Sequence, residues 1–229
     1  MNNKFDKNNQ VIIKGEINTT PEFSHSVLGE GFYNVMVKVP RLSEEFDYIP
    51  VTISERLMGE LKIGDLVAFG GQFRSYNKLE GLKSRLMLTL FVRERLNPDE
   101  TRIGNQISLV GYVCKEPIYR TTPFGREITD ILVAVNRAYS KSDYIPCIAW
   151  GRNARFAIGL SIGEKVEIVG RIQSREYTKK LDNGESIIKT AYEISISTII
   201  SIVDAELDSE NTIDNPEHNT LTGISGEDM

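Results

Sequence analysis

The chain has 229 residues, of which 27 are Lys or Arg, 32 are Asp or Glu and 40% are hydrophobic, with a formal net charge of −5. This composition is typical of a globular protein, and the length suits one large domain or two of about 100 residues each. It excludes a helical membrane protein, because no apolar run approaches the roughly 20 residues that span a bilayer. The first residues include no apolar signal segment, so we expect a cytoplasmic location.

The charge is distributed unevenly along the chain. Residues 204–229 contain eight acidic residues and no Lys or Arg, which leaves a net charge of +3 on the rest. Residues 105–203 carry a surplus of three positive charges, whereas residues 9–96 are neutral. We therefore expect a polyanion as the partner of the basic segment and a disordered acidic tail at 204–229. Residues 1–8 are also expected to be disordered.

Residues 9–96 are predicted to form five strands and one short helix. The strand positions are rich in β-branched, aromatic and apolar side chains. The helix is expected at Glu55–Leu61, between the third and fourth strands. The predicted strands are Val11–Ile17, Tyr33–Val39, Tyr48–Ile53, Leu66–Ser75 and Leu86–Val92.

A short polar segment at residues 97–104 follows, and the pattern then repeats. Asn9–Ile17 matches Asn105–Val113, and Asp47–Val51 matches Asp143–Cys147, both at an offset of 96 residues. An ordered series of matches at one long period indicates a duplicated domain rather than a solenoid. The polar segment is predicted to be the linker between the two copies.

The second copy, residues 105–203, carries the same order of elements, with a helix expected at Asn153–Ile158. Five strands with one helix between the third and fourth form the OB fold, a small Greek-key barrel that binds oligonucleotides on one face. We therefore predict an all-β chain of two tandem five-stranded OB-fold barrels followed by the tail. The strands of the second copy are Ile107–Val113, Thr129–Asn136, Tyr144–Trp150, Lys165–Tyr177 and Lys189–Ile202.

Strand alternation predicts which side chains of the second copy face outward, because successive residues point to opposite faces. On two strands the outward set mixes aromatic residues with Arg and Gln, whereas Ser174 is expected to point inward. Single strands are bound by aromatic side chains that stack on bases and by cations that follow the backbone. The alternative is that Trp150 and Tyr177 pack against a loop or another subunit. The outward residues are Tyr144, Pro146, Ile148, Trp150, Lys165, Glu167, Val169, Arg171, Gln173, Arg175 and Tyr177.

The first copy has fewer aromatic residues on the equivalent face. Ser54 stands where the second copy has Trp150, and Ser75 is expected in the core. Tyr48, Arg74 and Tyr76 remain as candidate contacts for nucleic acid. We expect either a weaker binding face than that of the second copy or a face used mainly for assembly.

The other reactive residue types predict no catalytic or metal site. Cys114 and Cys147 lie in apolar strand-like runs and are expected to be buried, reduced thiols. Asp47 and Asp143 recur at the repeat offset, but each begins a strand after a turn, and a turn or capping role suffices for them. We predict a protein that is not an enzyme and that needs no cofactor or metal.

Residues 105–202 resemble the bacterial single-stranded DNA-binding protein (SSB) family. The resemblance is carried by Asn105–Gly111, Leu132–Arg137, Ile148–Arg152 and Val169–Tyr177. It implies that Tyr139, Tyr144, Trp150 and Tyr177 stack on bases and that Arg152, Arg171 and Arg175 contact the backbone. The first copy resembles the family more loosely, mainly through its match to the second.

Relatives with two barrels per chain work as dimers, so the resemblance implies a homodimer with four OB folds. Family tails end in a hydrophobic Pro-Phe tip that docks onto replication and repair proteins. Here the chain ends Gly223–Met229 without that tip, which leaves partner recruitment and a purely solubilising tail as alternatives.

The sequence therefore predicts a protein that binds single-stranded DNA with little sequence preference and protects it in replication, recombination or repair. RNA remains the alternative ligand. The alternative function is an OB-fold assembly or mediator protein, of primosome or recombination type, that acts mainly through protein contacts.

Overall fold

The computed structural model describes residues 7–81, 83–180 and 184–202. The predictions for the first six residues and for the acidic tail at 204–229, including Met229, lie outside the described residues. No helix in the described part is long and apolar enough to cross a membrane.

The described residues form two barrels of mainly antiparallel strands, each with one short helix, as the sequence predicts. In the first barrel, α1 (Glu55–Met58) connects the third and fourth of the predicted strands. The first-barrel strands are β1 (Asn9–Ile17), β2 (Glu22–Val27), β3 (Glu30–Pro40), β4 (Phe46–Ser54), β5 (Leu66–Glu80) and β6 (Lys83–Leu96).

The second barrel repeats this order, with α2 (Arg152–Ala157) in the place of α1. Both barrels close through a pairing of their first and third strands, and in both the fourth and sixth strands pair in parallel. The second-barrel strands are β7 (Asn105–Val113), β8 (Ile118–Thr121), β9 (Glu127–Arg137), β10 (Lys141–Trp150), β11 (Lys165–Lys180) and β12 (Ser186–Ser201).

Each barrel closes as a ring of five strands, as predicted: β1, β3, β4, β6 and β5 in the first, and β7, β9, β10, β12 and β11 in the second. The additional strands, β2 and β8, extend each barrel by pairing with β3 and β9. All residues of both strands are exposed, so neither strand shows the alternation of buried and exposed positions that marks a strand in sequence. They are held by backbone pairing and by side-chain contacts with the neighbouring strand, such as those of His25 with Phe32 and of Arg120 with Asp130.

The core follows the predicted alternation. Ile49, Val51 and Ile53 of β4 are buried, as are Ile145, Cys147 and Ala149 of β10. Cys114 is half-buried and also unpaired, so both cysteines are free thiols. Burial raises the pKa of the Cys147 thiol far above its ordinary value, which keeps it in the neutral form.

Two glycines allow the barrels to close. A Cβ on Gly15 of β1 would lie 2.3 Å from the Lys38 carbonyl oxygen, and one on Gly111 of β7 would lie 2.6 Å from the Ala134 oxygen. Each contact joins the first strand of a barrel to the third. Only a residue without a Cβ permits this approach of two backbones.

The two barrels are joined by an antiparallel pairing of β1 with β7, so that all 12 strands form one continuous sheet. The pairing is centred on Val11 and Ile107, which occupy equivalent positions in the repeat. The duplicated barrels are therefore related by a pseudo-twofold axis at this pair. The division into domains at residues 97–104 stays a prediction.

Asp47 and Asp143 hold the barrels together, which corrects the turn or capping role predicted for them. Both are buried, and each accepts a hydrogen bond from a backbone N–H of the opposite barrel: Ser174 to Asp47 at 2.7 Å and Ser75 to Asp143 at 2.7 Å. The two serines in turn accept hydrogen bonds from the N–H groups of Tyr48 and Tyr144. The strand pattern predicts that both serines lie in a barrel core. They lie instead at the junction between the barrels.

Candidate nucleic-acid interface

A cleft of about 400 Å³ lies on the outward face of the second barrel and reaches the junction with the first. We call it the second-barrel cleft. It brings together three of the predicted site residues, Trp150, Arg171 and Arg175. Its other lining residues are Arg41, Arg120, Thr122, Arg126, Ile128, Ile148, Gln173, Ser174 and Glu193.

Trp150 supplies the aromatic surface of this cleft. It ends β10, is half-buried, and pairs with Ile128 across to β9. Ile148 lies two residues earlier and lines the same cleft. The sequence predicts that Ile148 points outward, but it is 3% exposed, because the outward face is covered by the cleft side chains. Trp150, Ile128 and Ile148 together form the apolar part of the cleft lining.

Five arginines line the second-barrel cleft, and three of them were not among the predicted site residues. Arg120 and Arg126 flank the turn between β8 and β9, a hairpin that the strand prediction did not include. Arg41 comes from the first barrel and enters the cleft across the junction. Its counterpart Arg137 stands 96 residues later in the chain, a spacing that could have identified the pair.

Carboxylates at the edge of the cleft fix the position of these arginines. Asp47 accepts hydrogen bonds from Arg41 at 2.5 Å and from Arg171 at 2.8 Å. Asp130 accepts two from Arg120, at 2.7 and 3.1 Å. The hydrogen bonds to Asp47 and Asp130 raise the pKa of Arg41 and Arg120, so that both remain cations. Arg120 and Arg171 remain 48% and 37% exposed, so they keep surface for a further anion.

Glu193 is the acidic group within the lining. It accepts a hydrogen bond from Gln173 at 2.7 Å, and its carboxylate lies 3.6 Å from the Arg175 guanidinium. Gln173 was predicted to face outward, and it does line the cleft, but it is only 8% exposed. Arg175 is 51% exposed and lies 6.0 Å from the centre of the Tyr177 ring.

The remaining predicted residues of the second barrel lie outside the cleft lining. Tyr177 continues β11 beyond Arg175 and is 39% exposed. Tyr144 is 46% exposed, and its backbone N–H donates to Ser75 at the junction. Tyr139 is 93% exposed and adopts a positive φ of 62° in the turn between β9 and β10. Arg152 is exposed at the start of α2.

The predicted residues of the first barrel separate into two places. Arg74 and Tyr76 line a cleft of about 310 Å³, here called the first-barrel cleft, which occupies the pseudo-twofold equivalent position. Tyr48 is 41% exposed next to the junction and does not contribute to the described lining of either cleft. Within the described ranges, no group of three or more His, Cys, Asp and Glu side chains has the geometry to hold a metal ion.

The profile of the "Single-strand binding protein family" matches residues 104–201, which include the whole of the second-barrel sheet. Single-stranded DNA-binding protein B of Bacillus subtilis (strain 168) is 31% identical over 102 residues, covering 42% of this chain and 87% of that protein. Single-stranded DNA-binding protein 1 of Staphylococcus aureus (strain COL) is 38% identical over 80 residues, covering 32% of this chain and 48% of the relative. The chain thus spans about half the length of this relative.

A crystal structure of a deletion mutant of the single-stranded DNA binding protein from Thermus aquaticus has a TM-score of 0.68 to this chain. The superposition covers 88% of this chain and 98% of that one, at 18% sequence identity. It supports the two-barrel fold over nearly the full described length. The family profile and the relative from Bacillus subtilis, which is matched over most of its length, establish that the chain belongs to the single-strand binding protein family.

Proposed function

We propose that this protein binds single-stranded DNA with little sequence preference, using the second-barrel cleft as its main site. The observation that carries the proposal is the convergence of Trp150 with five arginines in one cleft. Aromatic rings stack on any base, and arginines pair with phosphates whatever the sequence. The role is then to cover and protect single strands during replication, recombination or repair, in the cytoplasm.

The arrangement supports a strand that runs across the junction between the barrels. Arg41 of the first barrel and Arg171 of the second share the carboxylate of Asp47, and both line the cleft. A phosphate at this point would contact both barrels. The exposed aromatic residues Tyr139, Tyr144 and Tyr177 and the exposed Arg152 would extend the path beyond the cleft.

Titration of Trp150 fluorescence tests this site directly, because Trp150 is the only tryptophan. We expect quenching when an oligo-dT is added and recovery when salt is raised, since bound counterions are released on binding. The same titration with an oligo-rU of equal length compares RNA with DNA. An unchanged emission on saturation with either oligomer would rule out stacking on Trp150.

Substitution of Trp150 tests how much the stacking contributes. We expect Trp150→Ala to weaken binding of a labelled oligo-dT by about 5- to 150-fold, from about 1–3 kcal/mol per stacked base. Tyr48→Ala is the control, because Tyr48 is an exposed aromatic outside the cleft lining, and it should have a much smaller effect. Equal losses in the two variants would contradict the proposed asymmetry of the binding faces.

The second candidate function is an assembly or mediator protein that acts mainly through protein contacts. Large apolar side chains exposed on the first barrel favour it: Phe23 is 63% exposed, and Leu28 and Leu42 are fully exposed. Trp150 fluorescence that stays unchanged with single strands, in a chain that still binds a partner protein, would favour this function. A homodimer that presents four OB folds is part of the proposal, and light scattering coupled to size-exclusion chromatography tests it.

A further inference from the structure

We propose that Asp47 is a positioning residue of the second-barrel cleft, whose buried carboxylate holds Arg41 and Arg171 as a clamp for one phosphate of the bound strand. The inference rests on the proposed function and deepens it, because it assigns control of the affinity to a residue that the ligand does not touch. Asp47 lies on β4 of the first barrel, is 1% exposed and does not line the cleft. Its effect must therefore pass through the two arginines, which do line it.

The two arginines use both oxygens of the carboxylate. Arg41 donates to Oδ1 at 2.5 Å, and Arg171 donates to Oδ2 at 2.8 Å. Arg41 also donates to the Ser174 carbonyl oxygen at 2.8 Å, and Arg171 to the side-chain oxygen of Gln173 at 3.2 Å. A guanidinium has five N–H donors, and these bonds occupy two on each arginine. Donors therefore remain on both arginines for a phosphate in the cleft.

Fixing these two side chains before the ligand arrives lowers the cost of binding. Adjacent guanidinium groups repel each other, and the charge of Asp47 offsets that repulsion. An arginine that becomes immobile only on binding loses about 2- to 12-fold in affinity through its lost side-chain freedom. The negative charge of Asp47 also repels a phosphate, which opposes binding. The sign of the net effect on affinity therefore decides between a positioning role and simple competition.

Asp143 is the pseudo-twofold equivalent of Asp47 and provides the contrast. Its Oδ1 accepts hydrogen bonds from Arg137 at 3.1 Å and from the Ser75 N–H at 2.7 Å, whereas its Oδ2 has no hydrogen-bond partner among the described residues. Arg137 lines the first-barrel cleft and does not contribute to the lining of the second. The two carboxylates therefore share their burial and their position at the junction, but the arginine on Asp143 belongs to the other cleft.

An exchange of Arg and Gln between the copies accounts for this difference. Arg171 and Gln72 occupy equivalent places, 99 residues apart, on the strands that pair with β7 and β1. Two residues further along, the first copy has Arg74 and the second has Gln173. In each copy the arginine donates to the glutamine, at 3.2 Å from Arg171 and at 2.9 Å from Arg74. The first copy therefore carries a neutral amide at the position from which Arg171 reaches Asp47.

The first measurement compares the natural chain, Asp47→Asn and Asp143→Asn in their affinity for an oligo-dT of about eight nucleotides, within the site size of one OB fold. Quenching of Trp150 gives the affinity of the second-barrel cleft, because Trp150 is the only tryptophan and lines that cleft. Both substitutions remove a buried carboxylate at the junction and change the net charge equally. We expect Asp47→Asn to weaken binding by about 5- to 150-fold, the loss for two released arginines, and Asp143→Asn to change it by less than about 2-fold.

The salt dependence of the same titrations separates positioning from loss of structure. For a single strand, the slope of log K against log salt is about −0.7 per phosphate neutralised. Loss of the clamp removes one phosphate contact, so the slope for Asp47→Asn should be shallower by about 0.7. Partial unfolding of the variant would reduce the amplitude of quenching and leave the slope of the folded molecules unchanged. Asp143→Asn should keep the natural slope.

A third measurement tests whether Asp47 acts through the arginines. Arg41→Gln and Arg171→Gln together keep donors for Asp47 and remove both charges of the clamp. In that chain Asp47→Asn should weaken binding further by less than about 2-fold, since no clamp is left to position. Arg126→Gln is the matched control, because Arg126 lines the same cleft and is not among the hydrogen-bond donors to Asp47. In that background Asp47→Asn should retain its full effect.

The outcomes separate this inference from the proposed function. A higher affinity of Asp47→Asn than of the natural chain would overturn the inference, because Asp47 would then only compete with the phosphate. Equal losses in Asp47→Asn and Asp143→Asn, an unchanged slope, or an undiminished effect of Asp47→Asn without the two arginines would overturn it equally. Each of these results leaves Trp150 quenching in the natural chain intact, and with it the proposed function. Trp150 that is not quenched in the natural chain would eliminate both.

Discussion

Substitution of Asp47 by Asn tests how the two barrels are held together. Asp47 is 1% exposed and accepts hydrogen bonds from Arg41, Arg171 and the Ser174 N–H. Removing one member of a buried ion pair costs about 3–5 kcal/mol, and the partial exposure of the arginines reduces this to about 2–4 kcal/mol. In a chain of this length that loss corresponds to about 5–15 °C in Tm.

Asp143→Asn is the matched control, because Asp143 is the pseudo-twofold equivalent of Asp47. It pairs with Arg137, but its Oδ2 has no hydrogen-bond partner among the described residues. Burial raises the pKa of Asp143, and the Ser75 N–H and Arg137 offset this only in part. The ionised carboxyl is thus less well stabilised than that of Asp47, and its replacement should cost about 1 kcal/mol.

The assay is urea denaturation of the full chain at neutral pH, followed by circular dichroism. We expect a lower midpoint for Asp47→Asn, at an unchanged m value, than for Asp143→Asn. Equal midpoints in the two variants would refute the argument, since it attributes the difference to the second arginine on Asp47. A lower midpoint for Asp143→Asn would refute it equally.

Two further predictions concern pH and backbone contacts. Because the folded pKa of Asp143 is raised above its ordinary 3.8, its stabilising contribution is present below that pH and is lost as pH rises through the folded pKa. The free energy of unfolding of the natural protein, relative to Asp143→Asn, should therefore decline across this window in urea titrations, and a constant difference would contradict it. Gly170→Ala should lower stability by about 1–3 kcal/mol or more in the same assay, because its Cβ would lie 2.3 Å from the Ser195 carbonyl oxygen. Gly104→Ala, with no atom within 4 Å of the new Cβ, should change it by less than about 0.5 kcal/mol, and similar losses in both would exclude the steric explanation.

Much of the fold could be predicted because it depends on local patterns. Alternating apolar residues such as Ile145, Cys147 and Ala149 identify a strand with one buried face, and the offset of 96 residues identifies the duplication. The strands β2 and β8 could not be predicted, because every residue in them is exposed. They are stabilised by backbone hydrogen bonds, which leave no pattern in the side chains.

The candidate site could be predicted where it lies within one barrel. Trp150, Arg171 and Arg175 occur on strands that follow each other in the second copy, and strand alternation predicts that all three face outward. Comparison of equivalent sequence positions also suggested that the first copy had lost an aromatic residue for stacking, because Ser54 stands where the second copy has Trp150. That comparison follows one strand at a time and could not take account of Phe32, which lies opposite Ser54 on β3.

The sequence by itself determined the duplicated barrel, the buried face of most strands and the aromatic and basic surface of the second copy. Only the tertiary structure decided which residues meet across the junction. A repeat offset relates equivalent residues, but it carries no information on the axis that relates the copies. The pairing of β1 with β7 at Val11 and Ile107 sets that axis, and it brings Arg41 into the second-barrel cleft and Arg137 into the first. Asp47 and Asp143 acquire their role for the same reason, because each carboxylate contacts the opposite barrel.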